Sequence, residues 1–181
     1  MSAMKRLFAV LVLLVLVGCA SILGDRTVNV TGAEIQEKLN EKLAIPISLL
    51  KIFDVNLSNS LVTFDQSTGR MHTAMDANLS SALFNEKLSG QLGISGKLRF
   101  DAATSSIVLD APKVENINFD GASEKYNDLL SALAKTVGGD MLNGLTLYKV
   151  KPEDLTVGST QYLPKDLQVT NNGLQITLSS Q

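Results

Sequence analysis

Tryptophan is absent from this chain, cysteine and histidine occur once each, as Cys19 and His72, and only four residues are proline. One thiol closes no intramolecular disulfide, and together with one imidazole it supplies too few ligands for a structural zinc centre. Histidine chemistry has a single candidate, His72, which falls on the polar side of an alternating stretch and has no G-x-S-x-G elbow to serve. Neither an enzyme nor a cofactor is expected. Positive charge is not in excess either: 16 basic residues face 18 acidic ones, which argues against a nucleic acid partner.

What is there begins with the amino terminus. Lys5 and Arg6 precede the uncharged run Leu7 to Val17, and Asp25 and Arg26 follow soon after. This is the pattern of a signal peptide with a short apolar core, and the run is too short for the ~20 residues a spanning helix needs. Leu16, Val17, Gly18 and Cys19 resemble the bacterial lipobox. The resemblance implies diacylglycerol on the Cys19 sulfur, cleavage after residue 18 and acylation of the new amino terminus. Several acyl chains, at about 0.8 kcal/mol per buried methylene, anchor a protein where one would exchange. Ala20, where aspartate would retain a lipoprotein in the inner membrane, implies the periplasmic face of the outer membrane.

Removing 18 of the 181 residues leaves 163, and with Lys5 and Arg6 gone the mature chain carries 14 basic and 18 acidic groups. That length suits one domain. The expected organisation is a cleaved signal at 1–18, a lipidated tether at 19–30 and one α+β domain at 31–181.

Thr31 and Glu34 form a capping box, and Ile35, Leu39 and Leu43 repeat on one face, so a short amphipathic helix is expected over 32–44, ended by Pro46. The period then becomes two. Phe53, Val55 and Leu57 alternate with polar residues, as do Met71 to Leu79, with a turn at "FDQSTGR" whose Gly69 needs positive φ. "LSGQLGISGKLRF" is the clearest strand: Leu88, Leu92, Ile94, Leu98 and Phe100 share one face with Gly90 and Gly96, where a missing side chain permits coiling or close approach. Helical spacing returns over 122–143 through Tyr126, Leu129, Leu130, Leu133, Val137 and Met141, with Ser123 as cap and Gly138 and Gly139 as weak points. Strands at "LTLYKV" and "LTVGS" and a hairpin around Asn171, Asn172 and Gly173 complete the chain. The fold class expected is α+β, a long curved antiparallel sheet wrapped around a long helix.

Two motif-like stretches dissolve on inspection. "GQLGISG" lacks the lysine of a phosphate loop and reads better as strand. Asp54, Asn56, Ser58 and Asp65 are spaced like a calcium loop, but Asn59 stands where that loop needs glycine, and the alternation of Phe53, Val55 and Leu57 again indicates strand. No metal site is expected.

The lipobox at Cys19, "TVNVTGAEIQEKLNEK", "IPISLLKI" and "LSGQLGISGKLRFDAATSSIVLDAP" together resemble the YceB-like lipoproteins of Gram-negative bacteria, departing from that pattern at Ile45. The resemblance implies a fold similar to one half of the tubular lipid-binding (TULIP-like) proteins, with an apolar groove between sheet and helix. It therefore implies a non-catalytic outer-membrane lipoprotein that binds lipid or another hydrophobic ligand. The expected groove lining is Leu88, Leu92, Ile94, Gly96, Leu98 and Phe100 from the sheet and Leu130, Leu133, Val137 and Met141 from the helix. The alternative is an envelope scaffold with a solid core that works through exposed stretches such as "YKVKPEDL". Cys19→Ser offers no thiolate for acyl transfer, so radiolabelled palmitate is expected to label the wild type alone; equal incorporation would refute the lipidation site.

Overall fold

The computed structural model describes residues 24–82 and 87–180, so Cys19 and the expected signal segment lie outside it. Ten strands form two antiparallel sheets. β1 (Arg26–Thr31), β8 (Thr156–Val157), β9 (Thr160–Thr170) and β10 (Gly173–Ser180) make a four-stranded sheet in the order β1-β10-β9-β8. The other six follow chain order: β2 (Ile47–Leu49), β3 (Phe53–Asp65), β4 (Arg70–Ser81), β5 (Leu88–Asp101), β6 (Ser106–Phe119) and β7 (Thr146–Lys149).

The first helix, α1, spans Gly32–Leu43 and starts as the sequence predicts. The Glu34 N–H donates to Thr31 Oγ1 at 3.3 Å, and the Thr31 N–H donates back to Glu34 Oε2 at 2.8 Å. The Thr31 N–H and the Thr31 hydroxyl, both donating to Glu34 Oε2, hold the Glu34 carboxyl below its usual pKa. Ile35, Leu39 and Leu43 are buried. The polar residues between them do more than meet water: Gln36 Oε1 accepts from the Val62 N–H and Asn40 Oδ1 from the Ser60 N–H, so α1 caps part of the β3 edge that β2 leaves open. Covering an edge in this way removes a site of unwanted strand pairing.

The long strands curl because their ladders are broken by bulges. Register shifts fall between Ser58 and Leu61 in the β3–β4 pair, and between Gly93 and Ile94 and again between Ser95 and Lys97 in the β5–β6 pair. Each adds local twist and bends the strand. The β3–β4 turn is tied by Asp65, whose carboxylate accepts from Ser67 and Thr68 and is thereby held at a pKa of about 2, while Gly69 takes φ +65°. Buried apolar side chains of both sheets and both helices form one core, including Val30, Ile35, Phe53, Met75, Ile107, Leu147 and Ile176.

Three expectations are corrected. The sheet is not single. Residues 26–30, expected in the tether, belong to β1, which pairs with β10 over six positions. The long helix over 122–143 is instead three short pieces: a 3-10 turn at Glu124–Tyr126, the nine-residue helix α2 at Asn127–Lys135 and a π-helical segment at Thr136–Met141. Ser123 occupies the cap position without a side-chain bond, and the backbone widens to π geometry where Gly138 and Gly139 supply no side chain to hold an α turn.

Thr73 Oγ1, buried on β4 between Met71 and Met75, has no hydrogen-bond partner. A buried hydroxyl left unpaired costs about 1–3 kcal/mol. Thr73→Val, similar in shape, is expected to raise stability by about 1 kcal/mol, read as a higher denaturant midpoint at unchanged slope. A lower midpoint would mean that the hydroxyl is satisfied.

Candidate functional site

The described interior offers one feature suited to a ligand, an apolar slot between α2 and the inner face of the six-stranded sheet. Register assembles its floor. Val55 lies opposite Leu79, Leu57 opposite Ala77, and Leu92 opposite Ile117, while Phe119 pairs with Gly90. The roof comes from Leu130, Leu133, Ala134 and Val137, spaced three, four and seven apart on one helical face. All eleven lining residues are apolar. The slot measures about 20 Å³, room for about one water molecule. Three of its residues, Ile117, Phe119 and Leu130, also line an open groove of about 450 Å³, together with Asn118, Ala122, Asn127 and Ser131.

Two glycines set the geometry. A Cβ on Gly138 would lie 2.6 Å from Val114 Cγ2 and 3.3 Å from Ile94 Cδ1, so its absence lets the π segment rest directly on β5 and β6. A Cβ on Gly90 would lie 1.9 Å from the Asn118 carbonyl oxygen, the close backbone approach expected there. The helical segment is thus seated on the sheet at Gly138, and the apolar slot lies beside that contact, under Leu130 to Val137.

Of the residues expected to line a groove, Leu92, Leu130, Leu133 and Val137 do so. Ile94 is buried under Gly138 instead. Leu88, Leu98 and Phe100 are half-buried and lie outside the slot; Leu98 and Phe100 pair with Leu109 and Ile107 toward the opposite end of the sheet. Met141, expected to face inward, is 45% exposed because the π segment rotates it away from the sheet. Gly96 is not free volume: a Cβ there would lie 2.4 Å from Leu109 Cδ1, whose side chain occupies the space. Val55, Leu57, Ala77, Leu79, Ile117, Phe119 and Ala134 were not assigned to the site from sequence. Their alternation was visible, but the pairing that unites them was not.

On the rest of the described surface, Arg70 Nε and Nη2 donate to Ser95 Oγ at 3.1 and 2.8 Å, and the Ser95 hydroxyl donates to Glu115 Oε1. His72 lies opposite Ser95 in the ladder. This network ties β4, β5 and β6 together beside the bulges, and it commits the Ser95 hydroxyl to a carboxylate and its lone pairs to a guanidinium. Among the described residues, no three His, Cys, Asp or Glu side chains are grouped to hold a metal ion, and no helix is long and apolar enough to cross a membrane.

A curled antiparallel sheet closed by a short helix over an apolar slot defines the class: an α+β domain organised around its apolar interior, with no polar constellation at the centre. The chain belongs to the family described as Protein of unknown function (DUF1439), whose model matches residues 30–173. No curated protein matches it. The match bears out the likeness to an uncharacterised family.

Because Leu109 fills the place of a Gly96 side chain, Gly96→Leu is expected to overpack the core by about 1–3 kcal/mol and to lower the melting temperature by about 2–4 °C per kcal/mol. An unchanged melting temperature would show space that the packing does not have.

Proposed function

We propose that this protein is a non-catalytic outer-membrane lipoprotein, anchored through Cys19 on the periplasmic face, whose domain takes a lipid or another hydrophobic ligand between α2 and the curled sheet. One observation carries the reading: the slot under α2 is lined by apolar side chains alone and shares Ile117, Phe119 and Leu130 with a solvent-facing groove. A sheet rolled against a helix is also what a TULIP-like half-tube would present. The described slot is far below the roughly 300–1,000 Å³ of a formed ligand pocket, so admission of a ligand requires α2 to lift from the sheet. The helix is suited to that. It has nine α residues between a 3-10 turn and a π segment, and no side-chain cap bond at its start.

A second reading has its own support. The small slot and the Leu109 side chain in the place of Gly96 also describe a packed core, in which case the domain is an envelope scaffold acting through its surface.

Native mass spectrometry separates the two. Protein purified gently from the envelope is expected to carry a bound apolar mass, and Ala134→Phe, whose ring exceeds the closed slot and takes the space that opens when α2 lifts, is expected to lose that mass. Folded wild type without any bound mass, or a mass that Ala134→Phe retains, would reject the ligand reading.

A further inference from the structure

The slot's mouth differs in chemistry from its interior. Where the slot has no polar side chain, the groove that shares its wall presents Asn118, Asn127 and Ser131 beside Ile117, Phe119 and Leu130. These are amides and a hydroxyl, each able to donate and to accept, and none carries charge. The edge of β6 adds to them. Its second partner, β7, pairs only with Ser106 to Val108, so among the described strands the edge at Ile117–Phe119 is unpaired and offers backbone N–H and C=O groups.

Among the described residues, no charged side chain lines this mouth. A carboxylate or phosphate head would need an excess of donors and positive charge, which the lining does not supply. A head that both donates and accepts, such as the hydroxyls and ester of an acyl glycerol, matches donors and acceptors without a desolvated charge. Resting on the ligand reading above, we infer that the site selects a single-chain lipid with an uncharged, hydroxyl- or ester-bearing head: chain under α2, head among Asn118, Asn127 and Ser131.

The experiment uses the purified mature protein and two probes of equal chain length, dodecanoyl glycerol and dodecanoate, in competition against a fluorescent acyl probe at neutral pH. The acyl glycerol is expected to bind about tenfold more tightly, a difference of 1.4 kcal/mol. Asn127 is exposed, so Asn127→Lys leaves the core intact; it is expected to narrow or invert the preference by supplying a cation at the mouth. Dodecanoate binding as tightly as the glycerol ester in the wild type overturns the head assignment and leaves the slot reading standing. A preference that Asn127→Lys does not alter overturns the placement of the head at this mouth. Binding of neither probe by folded protein overturns the slot reading and the selectivity with it.

Discussion

The concave face of the six-stranded sheet must be buried, and the elements available to cover it are short. Strands β3 to β6 are 12 to 14 residues long and turn Phe53, Val55, Leu57, Met71, Met75, Leu79, Leu92 and Ile94 inward. Against this face the chain sets a twelve-residue α1, a nine-residue α2 with its π extension, and the inner residues of the four-stranded sheet. Each fully buried large apolar side chain contributes about 1.5–3 kcal/mol, so the arrangement of covers decides both the fold and where cover is thinnest. The thinnest place is the slot under α2.

Glycine makes this cover uneven in a directed way. At Gly138 the helical backbone sits on Ile94 and Val114, closer than any side chain would permit. Toward Asn127 the same segment packs through the larger side chains of Leu130 and Leu133, and it begins in a 3-10 turn whose Ser123 makes no capping side-chain bond. A segment seated at Gly138 and weakly held at its start is suited to hinge, and π geometry recurs at functional positions in helices. The scaffold reading needs no such asymmetry, and the ligand reading makes use of it.

Local signals are legible in the sequence and long-range ones are not. The Thr31 and Glu34 capping box, the strand from Leu88 to Phe100 and the positive φ at Gly69 depend on neighbours a few residues away and stand as expected, although the strand's alternation gives way to five buried residues in a row, Leu92 to Gly96, at its bulges. The slot depends on register. Nothing in "DVNL" shows that Val55 will face Leu79 and Leu57 will face Ala77, and nothing at Leu109 shows that its side chain will fill the space at Gly96. The apolar spacing from Tyr126 to Met141 was real, but periodicity cannot register the change from α to π winding that carries Met141 out to solvent. Most helix and strand identities are therefore legible, β1 and the division of the 122–143 helix excepted, along with four of the eleven residues that line the slot.

The account turns on whether the segment at 127–141 opens. Amide hydrogen exchange followed by mass spectrometry, on the empty protein and on protein saturated with dodecanoyl glycerol, measures this directly. The account predicts that amides of 127–141 exchange faster than those of β4 and β5 in the empty protein, by local opening below the global unfolding free energy, and become protected when the ligand is bound. Exchange from 127–141 as slow as from β4 and β5, unchanged by the ligand, would contradict it.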